Sequence, residues 1–218
     1  MIIEGDSGTS EVTFTVTLSP ATPEQVSFQY TSAPGTATET VPGPVTGRED
    51  YSRVFGAALF GPGGTTRTIT VPVIGELRDE FDETFFIRIS NPNNATIADA
   101  EGMATILDND PPPTVSINDV SVNEASCVTT SAVFVASLSL ASGKPISVDF
   151  ATANATAIAG NDYVAASGTV LFNPEESAKQ ISVEVIADTA NETEPDETFS
   201  VNLSNLTNVT VGDGQGFG

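Results

Sequence analysis

Apolar and polar residues alternate in short runs along most of the chain, and clusters of Gly, Pro, Asn or Asp separate the runs. Ile69, Val71 and Val73 share one face of such a run, as do Phe85, Ile87 and Ile89. In the second half Ile181, Val183 and Val185, then Phe199, Val201 and Leu203, repeat the arrangement. A period of two sets one face of a segment against a core and the other in water, which is the pattern of a half-buried strand. The first half predicts strands near Val12–Leu18, Val26–Tyr30, Ala57–Phe60, Thr68–Ile74, Thr84–Ile89 and Gly102–Leu107, with a stub of an opening strand at Ile2-Ile3. Gly61-Pro62-Gly63-Gly64 and Asn91-Pro92-Asn93-Asn94 read as the turns between them. No segment carries a convincing helical period. Seven short strands in about 110 residues predict an antiparallel β-sandwich of immunoglobulin type. The cysteine pair and tryptophan of a true immunoglobulin domain are absent, so the prediction concerns architecture.

Self-comparison shows that the chain carries this pattern twice. Glu4, Phe14, Val16, Leu18 and Ser19 match Glu124, Phe134, Ala136, Leu138 and Ser139 at an offset of 120. From Asp50-Tyr51, against Asp162-Tyr163, the offset is 112, and from Glu83, against Glu197, it is 114. The offset changes only in predicted loops: the first repeat is longer in the loop holding Pro34, Gly35, Pro42, Gly43 and Pro44, the second in its acidic loop. The expected organisation is all-β, two tandem immunoglobulin-like antiparallel β-sandwiches, with one domain over residues 1–110 and a second over 114–218. Pro111-Pro112-Pro113 forms a short, stiff linker between them.

The direction of the strands then locates the acids. Successive antiparallel strands run alternately up and down, so consecutive loops alternate between the two ends of the sandwich. In the first repeat this sends Glu4 to Glu11, the loop with Glu49-Asp50, Glu76 to Glu83, and Asp108-Asn109-Asp110 to one end. The other end receives few acids. A near copy of Asp79-Glu80-Phe81-Asp82-Glu83-Thr84-Phe85 returns as Glu194-Pro195-Asp196-Glu197-Thr198-Phe199. Each acidic loop is either a solvated connection or one wall of a cation site.

Composition changes the balance between these. The 218 residues hold 29 acids against 7 bases, a formal charge of -22, with no His, no Trp and one Cys. Such a charge repels nucleic acid and anionic membrane, and its self-repulsion weakens the compact state unless cations neutralise it. No apolar run approaches membrane-spanning length, so this segment is not expected to insert in a membrane. No signal peptide is read at the amino terminus, and Met1 is taken as an added start. The absence of His removes the commonest general base and nitrogen ligand, and Cys127 has no partner for an internal disulfide. Carboxylates from several loops suit a hard cation that takes six to eight oxygens, as Ca²⁺ does; zinc prefers His and Cys, and magnesium demands stricter geometry.

With Glu4-Gly5-Asp6-Ser7-Gly8, Phe14-Thr15-Val16-Thr17-Leu18-Ser19, Asp50-Tyr51, Ile69-Thr70-Val71-Pro72-Val73, Asp82-Glu83-Thr84-Phe85 and Thr105-Ile106-Leu107-Asp108-Asn109-Asp110, the chain resembles tandem Calx-beta domains. Ala159-Gly160-Asn161-Asp162-Tyr163, Gly168-Thr169-Val170-Leu171-Phe172 and Asp196-Glu197-Thr198-Phe199 extend the resemblance over the second repeat. It implies a seven-stranded sandwich with calcium at the acidic end. The implied ligands of the first repeat are Glu4, Asp50, Glu80, Asp108 and Asp110, with Glu76 and Glu83 as further candidates. Two positions depart from the family pattern: Gly75-Glu76 stands where calcium-binding members often show paired aspartates, and Asn109 interrupts the last acidic run. In the second repeat Glu124, Asp162, Asp188 and Glu194 match, with Glu192 nearby. At the offset of 114 the counterparts of Asp108 and Asp110 fall beyond Gly218, so weaker calcium binding, or none, is expected there.

Other signals carry less. Gly212-Asp213-Gly214-Gln215-Gly216 is expected to be a turn, and Cys127, with no His to activate it, a structural residue in a loop. A glycosidase would need paired carboxylates in a cleft, and these acids sit on loop tips without a Trp platform. Asn-X-Ser/Thr sites occur at Asn94, Asn154, Asn191, Asn202, Asn205 and Asn208. The functional expectation is a non-enzymatic, calcium-binding spacer or adhesion segment of a larger secreted or cell-surface protein, joined to further domains and facing a surface protein or glycan. The alternative is a calcium sensor or ligand-binding module that regulates a partner.

Overall fold

The computed structural model describes residues 1–40, 47–123, 128–187 and 196–218. Every regular element among them is a β-strand, and the chain divides into two compact units. The first takes Met1–Leu77 and Phe81–Asp110; the second takes Pro111–Gly218 together with Arg78–Glu80.

In the first unit β1 (Ile2–Ile3), β7 (Glu101–Leu107), β6 (Glu83–Asn93), β3 (Val26–Pro34) and β4 (Phe55–Phe60) form one sheet in that order, while β2 (Thr9–Thr17) and β5 (Thr66–Ile74) form the other. All pairings are antiparallel except β1 with β7, which run parallel. The inward residues are those that the alternation marks. Ile69, Val71 and Val73 of β5 and Phe85 and Ile87 of β6 are at most 3 % exposed, and they close on Val26, Phe28, Tyr51, Phe60 and Ile106.

The second unit holds β8 (Thr114–Ile117), β9 (Thr130–Leu138), β10 (Ile146–Asn154), β11 (Ser167–Phe172), β12 (Ala178–Val185), β13 (Phe199–Thr207), β14 (Thr210–Asp213) and β15 (Gln215–Phe217). One sheet runs β11-β10-β13-β15 and the other β12-β9-β8-β14, with β8 and β14 parallel. The glycine-rich stretch after Val211 is thus a crossing between sheets: β14 ends at Asp213, whose Oδ1 accepts the Gln215 N–H at 3.2 Å, and β15 begins in the opposite sheet.

A three-ring motif recurs at the centre of both units. Tyr51 stacks on Phe85 at 4.3 Å between centroids, and Phe14 meets the same ring edge-on at 5.8 Å; Tyr163, Phe199 and Phe134 repeat this at 4.4 and 5.9 Å. These residues are counterparts at the three offsets read from the sequence, so the repeat extends to side-chain packing. Offset stacked and edge-to-face rings each add about 0.5–1.5 kcal/mol beyond their buried area. Burial, and secondly the Glu39 carboxylate, push the Tyr51 phenol well above its ordinary value, so it stays protonated in the core.

Two sequence expectations shift. Pro34 closes β3 rather than lying in the following loop, and β6 runs on through Asn91-Pro92-Asn93, which reads as a turn. A register shift between Ser27 and Gln29, opposite Asn91 at φ 47°, lets the strand absorb those residues as a bulge instead of ending.

Candidate metal centre

The loops that hold the acids are ordered by hydrogen bonds between chain-distant segments. Gly5 N–H donates to Asn109 Oδ1 at 2.9 Å, Asn109 Nδ2 donates to Asp6 Oδ1 at 2.9 Å, and Gly75 N–H donates to the Gly8 carbonyl at 3.0 Å. Asp108 N–H donates to Asp82 Oδ1 and Asp110 N–H to Asp108 Oδ1, both at 3.2 Å. The four acidic segments of the first unit therefore meet at one end, as strand direction predicts. Position 75 admits only glycine: a Cβ there would collide with the Gly5 carbonyl oxygen and come 2.9 Å from that of Glu4.

Within that end three carboxylates converge: Glu4, Glu76 and Asp110 each offer an oxygen within 4.8 Å of the others. Glu4, Asp50 and Asp110 are 4 %, 4 % and 9 % exposed. Two carboxylates at that separation repel by about 3.5 kcal/mol at an effective dielectric constant of about 20, so gathering three of them partly out of water costs stability unless positive charge is near. Arg78 Nε lies 2.7 Å from Glu80 Oε1 and offsets the charge of that carboxylate. The donors are all oxygen, from separate loops, and they suit a hard divalent cation better than one that favours nitrogen or sulfur.

Asp50 and Asp162 have the same local setting in the two units. Asp50 Oδ2 accepts the Thr38 N–H at 2.5 Å, while its carbonyl accepts the Ile74 N–H at 2.8 Å. Asp162 Oδ2 accepts the Ile158 N–H at 2.6 Å, and its carbonyl accepts from Ile186 at 2.9 Å. Each aspartate thus pins its loop with one oxygen. Asp162, Asp196 and Glu197 also line an open cavity of about 600 Å³ with Asp119 and Phe199. Glu124, Asp188, Glu192, Glu194 and Cys127 lie outside the described residues.

Among the sequence candidates, Glu4, Glu76 and Asp110 converge, Asp50 pins its own loop, and Glu80 lies beside Arg78, while Asp108 is placed as a bridge between the Asp110 amide and the Asp82 loop. Asp82, Asp6 and Asn109 order the end and were not singled out for that role. Their signal is an uncharged or short polar residue inside an acidic run, which binds backbone N–H groups while its neighbours face the centre. Glu49, although buried, turns its Oε2 to the N–H groups of Gly47 and Arg48 at 3.0 and 3.2 Å and has a loop-closing role.

The Calx-beta domain model matches residues 3–112 and again 108–214. Sodium/calcium exchanger 1 of Rattus norvegicus is 49 % identical over 59 residues, 27 % of this chain and 6 % of the exchanger. Sodium/calcium exchanger 2 of Homo sapiens is 28 % identical over 175 residues, which are 71 % of this chain and 18 % of that protein. The chain thus spans a small part of the length of these relatives. Among solved structures, the calcium binding domain CBD12 of CALX1.1 is 21 % identical, covering 97 % of this chain and 79 % of its own, with a TM-score of 0.43. CBD12 from CALX1.2 is 22 % identical over 94 % and 76 % of the two chains, with a TM-score of 0.42. Two matches to the family model that together span the chain almost end to end show that it belongs to the Calx-beta domain family and carries two of its domains in tandem.

Proposed function

We propose that this chain is a calcium-binding tandem segment, and that in its parent protein it acts as a calcium-stiffened spacer or adhesion module rather than as an enzyme. The convergence of Glu4, Glu76 and Asp110 carries the reading. Three carboxylates from three loops supply oxygen donors of the kind calcium takes. Bound there, calcium supplies positive charge that cancels their repulsion and ties the loops together. The setting proposed is extracellular or at a cell surface, where millimolar calcium fills sites of modest affinity. Other domains of the parent, and a surface protein or glycan, are the partners proposed with it.

The alignment with sodium/calcium exchangers over 71 % of the chain favours a second reading, in which the same site senses calcium and regulates a partner. Affinity separates the two. Calcium titration calorimetry at fixed ionic strength is expected to give a dissociation constant of about 10⁻⁴ to 10⁻³ M for a spacer and about 10⁻⁷ to 10⁻⁵ M for a sensor. Heat of binding indistinguishable from that of added magnesium, or none at all, would remove both readings.

A further inference from the structure

The outer face of the larger sheet in the first unit is unlike its counterpart in the second. The alternation turns Phe55 and Leu59 of β4, Phe86 and Arg88 of β6, and Glu101 and Met103 of β7 outward. The register sets Phe55, Thr31, Arg88 and Glu101 side by side in one row, and Phe86 beside Met103 in the next. Phe55 is 72 % exposed, Met103 62 % and Leu59 47 %. At the offsets of 112 and 114, the second unit has Ser167, Ser200 and Asn202 where the first has Phe55, Phe86 and Arg88. The strand plan is the same in both, so the fold itself does not call for large apolar side chains on this face.

The same face gathers cations in a chain that has few. The Arg53 guanidinium lies 5.7 Å from the Phe55 ring centroid and that of Arg88 lies 5.9 Å from the Phe86 centroid. At the rim Arg67 Nε donates to the Leu59 carbonyl. Three of the seven bases of the chain are therefore here. Among the outward positions of these four strands the one acid is Glu101, whose Oε2 accepts from Arg88 Nε at 2.6 Å. Phe, Met and Arg are the residues that interface centres concentrate, and a contiguous exposed apolar patch marks a docking surface.

We propose that two copies of the chain meet on this face, sheet against sheet about a two-fold axis. The occupant follows from charge. Copies that each carry -22 repel one another, so they can associate only through a face whose own charge is not negative, and here guanidinium groups outnumber carboxylates. The face is also complementary to itself. With the axis parallel to the strands and between β3 and β6, the β4 side of one copy covers the β7 side of the other. Arg53 and Phe55 of each copy then meet Glu101 and Met103 of its partner, so the same contact forms twice. Four strands about 4.8 Å apart, with about six residues along each, give a footprint of about 20 by 20 Å. That is smaller than a standard interface, so the dimer is weak, with a dissociation constant of about 10⁻⁵ to 10⁻⁴ M. The proposal is independent of the metal site.

The test is sedimentation velocity of the intact chain over about 10⁻⁶ to 10⁻³ M, in chelator and at fixed ionic strength, so that no ion can bridge the acidic ends of two copies. The chain is expected to pass from monomer to dimer across that range. Phe55→Ser, which installs the residue of the second unit at an exposed position, is expected to weaken the dimer at least tenfold with an unchanged circular dichroism spectrum. Arg53→Glu and Glu101→Arg each set like charges against one another at both contacts, and each alone is expected to abolish the dimer. An equal mixture of these two single variants recreates both opposite-charge pairs and is expected to restore it. A monomer at every concentration, which would leave the face to a different partner, would overturn the proposal. So would association that requires calcium, dimers of Arg53→Glu as strong as those of the unaltered chain, or a mixture no better than its components.

Discussion

At the residue scale, a carboxylate in this fold has two tasks that compete for its oxygens. Asp50 gives Oδ2 to the Thr38 amide and also brings its charge to the acidic end of the first unit. Asp50→Asn keeps an acceptor for the amide and removes the charge. Calcium affinity is expected to fall about tenfold, or about 1.4 kcal/mol, with the fold retained, as titration calorimetry beside circular dichroism would show. Asp149 belongs to the second unit and reports on hydrogen bonding. The Thr169 hydroxyl at 2.5 Å, and secondly the Asn205 amide at 2.9 Å, hold its carboxyl below the ordinary 3.8. A depressed folded value stabilises the protein above the unfolded value and loses that contribution as pH falls through the folded one. Thr169→Val should therefore raise the Asp149 titration midpoint toward 3.8 in an NMR titration. The stability gap between the two proteins should be constant near neutral pH and shrink below about pH 4.

At the element scale, the strand plan was readable because a period of two leaves a plain trace, and because changes of offset confined to loops identify a repeated fold. The end that collects the acids was readable for the same reason, since strand direction alone sorts the loops. What remained hidden depends on atoms that no periodicity encodes. Nothing in Asn91-Pro92-Asn93 shows that a bulge will carry β6 through it. Gly75 is the clearest case. In sequence it is a departure from paired aspartates, and in the structure it is the point where the exit of β5 passes against the Glu4-Gly5 backbone without room for a Cβ. Gly75→Ala should push the Glu4 and Glu76 loops apart, weaken calcium binding at least tenfold, and leave the second unit unchanged. Calorimetry, with chemical shifts of Tyr163 and Phe199 as the control, checks it.

At the scale of the whole molecule, the question is what calcium at one end of the first unit does to the chain that leaves it. Asp110 belongs to the carboxylate group and is the last residue of the first unit, and Pro111 is the next residue. An ion held by Asp110 fixes the backbone at the point where Pro111-Pro112-Pro113 begins. Each proline restricts its own φ and presses the residue before it toward extended conformations, so the joint is stiff before metal arrives. The metal acts on Asp110, the residue through which the chain enters the prolines. Calcium is therefore expected to narrow the distribution of distances between spin labels placed at Thr13 and Glu184, two exposed strand positions in different units, while its mean stays nearly constant. A distribution equally broad with calcium and with chelator would deny the site a mechanical role, whereas a large displacement of the mean would favour the sensor. Asp110→Asn should give the broad distribution in both conditions, because it weakens the ion's hold on the residue that leads into the prolines.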